Sequence, residues 1–579
     1  MSSRSLAVSP AAPSRLLPEA VARAWRSTSL TRLVSLALFA GLALWIVLVY
    51  RDYGVSNDEP VQHTYGQLLW AWYRSGFADD SAFHYKNLYL YGGLFDLIAA
   101  GLAERLPMPV YELRHLLSAS FGLLGLVAVW RLARLLAGEK AGILAVLLLA
   151  VTGMYGGAMF THTKDVPFAA MMAWALYYIT VIARDLPAAP ATGTAVKLGV
   201  AVGCALGLRV GGIFAVFYLG VTLLAATVLY RDPRMLGRAI LSLLPAVPVT
   251  LAIMAATWPW SVLNTTNFLE AATAFSHFDF DLETLFAGKE LPIGQIPADY
   301  MVTYLAIKLP EAMLFGIAAG LVLAIAGLWR GRIDRRRAMV ALLPLALAIL
   351  FPIAFTLITR PPLYNGIRHF LFVIPAASVA AALGFAALWR WSRTRPAAVR
   401  LAVASLAGAV FAFNAVTFLR LHPFEYVGYN QLVGGLAGAD GRYEGDYWST
   451  SLRQAALRLR KGVVLEGRAL AHPYKVAVCA EPDQIAPYLG PDFTITQDWD
   501  EADFFLTANN VGCDDVMKGF GYRTVNRLGV ALATVKDLRD EHGLHTPLPW
   551  GDDDTAPPEA PAVSSLQGAP SVASARAKP

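Results

Sequence analysis

This chain is short of charge. Only 16% of its 579 residues are charged and 56% are hydrophobic, whereas a soluble globular chain is about a quarter charged. With a mean hydropathy of +0.48, that deficit excludes an ordinary soluble enzyme. Repeated apolar runs of about 20 residues point instead to a polytopic helical membrane protein. Cysteine is scarcer still: three residues cannot build a disulfide scaffold. Cys204 falls in an apolar run and reads as packing. Cys479 and Cys513 share a hydrophilic C-terminal region and could pair in an oxidising compartment. The net charge of +6 is dispersed over short loops, and no basic stripe lies on a soluble stretch, so no nucleic-acid partner is expected. Internal repeats are also missing.

What is present is a series of about eleven apolar runs, near residues 30–50, 113–136, 141–160, 167–183, 195–208, 213–230, 240–258, 311–329, 339–358, 370–388 and 401–419. The first run has no small-residue cleavage site and reads as a retained span. Arg15, Arg23, Arg26 and Arg32 before and within it hold the N-terminus in the cytosol. An odd number of spans puts the C-terminus outside. Two arginine clusters agree with that: Arg330, Arg332, Arg335, Arg336 and Arg337 in one inferred cytosolic loop, and Arg390, Arg393, Arg395 and Arg400 in another. The expected organisation is a disordered cytosolic segment over 1–28 and a transmembrane part over 29–420, with extracytoplasmic loops at 51–112 and 259–310. A small extracytoplasmic α/β domain follows over 421–545, then a disordered tail over 546–579. Within the α/β part, 447–460 reads as an amphipathic helix and 475–479, 493–496, 504–507 and 530–535 as strands.

Against this apolar background the charged residues of the outer loops stand out. Ser56-Asn57-Asp58-Glu59-Pro60 follows the first span. Asn-Asp before Pro is ordinary turn chemistry, but a second outer loop, Thr161-His162-Thr163-Lys164-Asp165-Val166-Pro167, sets another carboxylate at the same depth. Pro167 suits the first turn of the next helix, which places Asp165 where the helix dipole favours a carboxylate. One such carboxylate can take a proton from an attacking hydroxyl or amine. The other can position an acceptor or, with His162, hold a divalent metal ion; no other cofactor is expected. Arg209, Lys308, Arg368 and His369 lie on the same side, at span ends, against the positive-inside trend. Each alone could snorkel to headgroups; together they supply the fixed positive charge that a phosphate leaving group needs.

These motifs resemble a known family. Asn57-Asp58-Glu59-Pro60, His162-Thr163-Lys164-Asp165-Val166-Pro167 and Gly207-Leu208-Arg209 are similar to the dolichyl-phosphate-mannose–protein mannosyltransferases of glycosyltransferase family 39, with the bacterial lipid A aminoarabinose transferase as a relative. Trp258-Pro259-Trp260, Tyr304 to Pro310, Arg368-His369, His422 to Asn430, Gly434-Gly435 and Asp446-Tyr447-Trp448 extend the likeness to about residues 30–450. The resemblance implies a GT-C fold in the cytoplasmic (inner) membrane, acting in the cell envelope. It also implies a polyprenyl-phosphate sugar donor, transfer with inversion, and an extracytoplasmic lipid, glycan or protein acceptor. By the same resemblance Asp58 is the catalytic base with Glu59 beside it, and Asp165 is a second acidic residue that helps place the acceptor or a metal. Arg209 contacts the donor phosphate, with Lys164, Lys308, Arg368 and His369 as weaker candidates. The β-trefoil insertion of the eukaryotic protein-mannosylating members has no counterpart here. The rival reading from another class is a polytopic lipid or solute transporter or flippase; a third is a scaffold acting through the soluble domain. Surface clustering of the charges and the lack of a repeat favour the enzyme.

Overall fold

The apolar runs fold as helices in the computed structural model, which describes residues 19–274, 282–329, 335–466, 473–510, 512–513 and 516–539. The disordered tail expected at 546–579, residues 1–18 of the expected N-terminal segment, and Arg330 and Arg332 lie outside the described residues. Helix α1 spans Glu19–Val49, and the aromatic loop after it folds into α2 (Glu59–Arg74) and α3 (Leu94–Ala103). There follow α4 (Val110–Ala137), α5 (Glu139–Ala150), α6 (Asp165–Asp185), α7 (Thr192–Leu206), α8 (Ile213–Tyr230), α9 (Pro233–Leu243) and α10 (Ala246–Thr257). The second long loop holds α11 (Trp260–Leu263), α12 (Asn267–Ala274) and a hairpin, β1 (Glu283–Phe286) with β2 (Lys289–Pro292). Then come α13 (Tyr300–Lys308), α14 (Glu311–Trp329), α15 (Arg335–Thr359), α16 (Val373–Ser392) and α17 (Ala397–Leu421).

All eleven expected runs are helical over most of their length, but they are not equally long. Among the described residues seven helices are long and apolar enough to cross a membrane unaided. Counting each of two bent pairs as one span gives up to nine: α9 with α10, bent by 41°, and α13 with α14, bent by 108°. The other two runs fall on α5 and α7, of 12 and 15 residues. The protein is therefore a multi-pass helical membrane protein. Helix α6 is the innermost span, whereas α1 and α17 are peripheral. Small residues allow the close packing at the centre. A Cβ on Gly125 of α4 would strike the Tyr155 hydroxyl and Ala170 of α6, so only glycine fits between those elements.

The C-terminal unit is a five-stranded sheet of order β4-β3-β5-β7-β6. Its strands are β3 (Tyr474–Val478), β4 (Phe493–Ile495), β5 (Phe504–Ala508), β6 (Phe520–Arg527) and β7 (Val530–Asp537). The short α18 (Gly435–Ala439) leads to α19 (Leu452–Glu466), which covers the sheet, and α20 (Ala486–Leu489) connects β3 to β4. A disulfide joins Cys479 to Cys513, with their Cα atoms 6.0 Å apart. Four expected strands fall on β3, β4, β5 and β7; β6 and the β1–β2 hairpin are additional. The helix expected from 447 begins only at Leu452. The cause is Asp446, whose carboxylate accepts the Thr450 and Ser451 N–H groups at 3.1 and 2.8 Å. That carboxylate competes with helix hydrogen bonding and frees Tyr447 and Trp448 to face the membrane part. Gln484, fully buried, donates to the carbonyls of Val55 (2.8 Å) and Trp448 (3.0 Å). The C-terminal unit is thereby tied to the Ser56 turn.

Candidate active site

Three acidic side chains near the ends of α2 and α6 meet different fates. In the Ser56–Pro60 turn, the Ser56 backbone N–H and hydroxyl donate to Glu59 Oε2 at 2.8 and 3.1 Å. Glu59 is fully buried. His115 Nε2 lies 3.2 Å from Oε2, and Arg114 Nε lies 3.8 Å from Oε1. Glu59 therefore closes the turn and pins it to α4, away from solvent. The pinned turn exposes its neighbour: Asp58, at the cap of α2, has a side chain 47% exposed that faces Arg368, whose Nη1 is 3.6 Å from Oδ2. Asp165, by contrast, opens α6, is buried, and pairs with Arg209.

The two carboxylate loops are joined through Gln62. Its side-chain oxygen accepts from Thr163 Oγ1 (2.5 Å) and Arg114 Nη2 (3.3 Å), and its amide lies 3.5 Å from Asp58 Oδ2. Arg114 in turn donates to buried Asp96 at 2.9 Å. Tyr91 forms a floor beside them, with the Lys164 ammonium 4.4 Å and the Arg209 guanidinium 5.8 Å from its ring centre. Glycines explain its position. A Cβ on Gly92 would collide with the Gly207 backbone, and the Leu94 N–H donates to the Gly207 carbonyl at 2.9 Å. The Tyr91 loop is thus seated against the end of α7, two residues before Arg209.

The third contribution comes from the turn before α16. Asn365 and Gly366 take left-handed backbone angles (φ 55° and 66°), which both residue types tolerate. Arg368 is buried; it donates to the Tyr364 hydroxyl at 3.0 Å and lies 4.5 Å from the Trp448 ring centre. Burial opposes its charge, but Tyr364, Asp58 and Asp165 outweigh burial and raise its pKa above the usual guanidinium value. Burial also lowers Lys164, partly offset by Asp96 and Asp58. When all are ionised, Lys164, Arg209 and Arg368 face Asp58 and Asp165, leaving one positive charge in excess. Among the described residues, several buried polar atoms here find no hydrogen-bond partner: Asn57 Oδ1, Arg209 Nε, Arg368 Nε, His369 Nδ1 and Trp448 Nε1. Buried polar groups are normally satisfied, and a polar ligand or water bound here would satisfy these.

Two residues named from the sequence point elsewhere. Lys308 donates to the carbonyls of Tyr426 (3.1 Å) and Val427 (3.4 Å) and sits 3.6 Å from the Tyr429 ring centre, so it fastens the bend between α13 and α14 to the chain after α17. His162 shares hydrogen bonds with Tyr447 (2.7 Å) and Thr161 (3.2 Å). Burial, then Arg368 and Lys308, depress its pKa, so it is a neutral link to the C-terminal unit. The metal set expected from Asp58, Asp165 and His162 does not assemble: among the described residues no three His, Cys, Asp or Glu side chains are grouped to hold a metal. Asp165 is engaged by Arg209, and His162 by Tyr447 and Thr161. Sequence reasoning missed Tyr91, Gln62, Arg114 and Asp96 as parts of this site. The Tyr91-Gly92-Gly93 triplet was the available signal for the first.

Residues 114–260 match the family model described as dolichyl-phosphate-mannose-protein mannosyltransferase. This stretch is about a quarter of the chain and carries Lys164, Asp165 and Arg209, and it agrees with the resemblance read from the motifs. No curated protein matches the chain. Among solved structures it is similar to ArnT from Cupriavidus metallidurans bound to undecaprenyl phosphate, at 15% identity and a TM-score of 0.46 over 86% of this chain and 97% of that one. The apo state of ArnT gives 17% identity and 0.47 over 87% and 98%. Archaeal oligosaccharyltransferase AglB from Archaeoglobus fulgidus, in complex with an inhibitory peptide and a dolichol-phosphate, gives 13% identity and 0.44 over 82% and 69%. At TM-scores this low the likenesses say nothing of individual residues.

Proposed function

We propose that this protein is an inverting glycosyltransferase that moves a sugar from a polyprenyl-phosphate donor to an extracytoplasmic lipid, glycan or protein acceptor. On this reading it sits in the cytoplasmic membrane with the N-terminus in the cytosol and the C-terminal unit outside. The observation that carries the proposal is the cluster itself: one half-exposed carboxylate, Asp58, among three cations on Tyr91 and Trp448. Arg209, Lys164 and Arg368 hold the donor phosphate, and their charge stabilises the negative charge that grows on it. Asp58 takes the proton from the acceptor hydroxyl or amine. The freed electron pair attacks the anomeric carbon opposite the phosphate, the carbon–oxygen bond to phosphate breaks, and the polyprenyl phosphate leaves. Asp165 orients Arg209, and Glu59 sets the turn. No step is routed through a metal.

Asp58→Asn is the direct test. The carboxamide keeps size and exposure but cannot act as a base, so transfer by the folded, membrane-inserted protein should fall by about 10²–10⁴-fold. Full activity in that variant overturns the assignment. Mass spectrometry of glycans, lipids and surface proteins from cells with and without the gene identifies the sugar and the acceptor class.

A further inference from the structure

A second candidate site lies at the other end of the bundle. A cavity of about 1180 Å³ opens between α14, α15 and α16 and reaches the end of α4 at Leu136. Its origin is local packing. A Cβ on Gly384 of α16 would strike the Gly316 carbonyl of α14, and one on Gly320 would lie 2.9 Å from Gly384 Cα. These two helices are in backbone contact, and the small side chains Ala324, Ala346 and Ala387 facing the remaining gap do not fill it. Among the described residues the larger side chains of its walls are mainly Leu and Ile. Leu321, Leu342 and Leu350 on its lining are 60%, 42% and 62% exposed, so the cavity opens sideways, where a multi-pass protein meets lipid chains.

One end of this apolar cavity is polar: Arg390, Trp391, Thr394 and Arg395 line it. Both arginines are exposed, and Arg395 stacks 5.0 Å from the Trp391 ring centre. Arg390 lies 17 residues along α16 from Val373, about 25 Å at 1.5 Å per residue, most of a hydrocarbon core of about 30 Å. The Asp58–Arg368 cluster stands at the start of α16, so the two arginine sites are at opposite membrane faces. A polyprenyl phosphate held at Arg209 cannot also place its phosphate here.

We propose that this cavity binds one anionic glycerophospholipid from the leaflet opposite the Asp58 cluster, its acyl chains between α14, α15 and α16 and its phosphate on Arg390 and Arg395. Guanidinium groups match phosphate geometry, and basic pockets between spans take anionic headgroups. The inference is independent of the transfer reaction.

The test is native mass spectrometry of the full chain in mild detergent, with phosphatidylglycerol or phosphatidylcholine of equal chain length added. Two arginines should give about a thirtyfold preference for phosphatidylglycerol, with one lipid retained per chain. Arg390→Ala with Arg395→Ala should erase the preference, while Ala324→Phe with Ala346→Phe should lower retention of both lipids. Equal retention by the unaltered chain, or a preference that survives loss of both arginines, overturns the proposal. So does a copurifying polyprenyl phosphate, or a dimer, that the phenylalanine pair displaces. If the phenylalanine pair fails to fold, the arginine pair, exposed at a helix end, decides the matter alone.

Discussion

Asp58, Glu59 and Asp165 share a functional group and differ in what surrounds it. Glu59 accepts two hydrogen bonds from Ser56 and stands between His115 and Arg114, with no exposure. Asp165 is paired with Arg209, and only Asp58 keeps half its surface. Removing one partner of a buried ion pair leaves the other uncompensated, at about 3–5 kcal/mol. Glu59→Gln should therefore lower the unfolding temperature markedly while the folded fraction still transfers sugar. Lost transfer at unchanged stability would make Glu59 a catalytic group. His422 supplies a pH signature. Burial pushes its pKa down, but the Glu425 hydrogen bond and charge, with Asp52, outweigh burial and raise it. Its contribution to stability is therefore fully present below about pH 6.5, the unperturbed histidine value, and is lost as pH rises through the raised value. Unfolding temperature measured upward from pH 6 should fall in that window, and His422→Asn should flatten the fall.

At the scale of elements, glycines decide where side chains meet. The Tyr91 loop can approach α7 because Gly92 offers no Cβ to the Gly207 backbone. Gly92→Ala should cost about 1–3 kcal/mol, as overpacking does. By moving Tyr91 away from Lys164 and Arg209 it should also raise KM for the donor more than it lowers kcat; an unchanged KM would show that Tyr91 is only packing. The same element scale shows what was legible. Long runs such as α4, α6 and α17 announce themselves, because a span must be apolar over its whole length. The β6 strand and the β1–β2 hairpin carry no such run. Their ladders satisfy the backbone, and their burial comes from distant partners such as Tyr443 against Phe286.

Across the whole molecule, the candidate site is closed by parts far apart in the chain. Tyr447 and Trp448 follow the last span, yet they contact His162 and Arg368. Gln484 of the C-terminal unit holds the Val55 and Trp448 carbonyls. Gln484→Ala would leave two buried carbonyls without a donor, each at about 1–3 kcal/mol, and loosen the Asp58 turn from the C-terminal unit. Transfer should drop while the helices remain inserted, as read by activity against protease accessibility of the membrane fraction. Unchanged activity would separate the C-terminal unit from catalysis.

The sequence by itself determined that this is a multi-pass helical protein with charged motifs in its loops, because the cost of burying charge and unpaired backbone in lipid is written into composition and run length. It also made Asp58, Asp165 and Arg209 candidates, since charges at span ends are few. Only the tertiary structure decided which carboxylate is open, that Lys308 fastens a bend, and that His162 joins no metal set. It also decided that Tyr91, Gln62 and Arg114 gather beside the two carboxylate loops. Those outcomes depend on distance and exposure between segments as far apart as Asp58 and Arg368, and no local pattern encodes either.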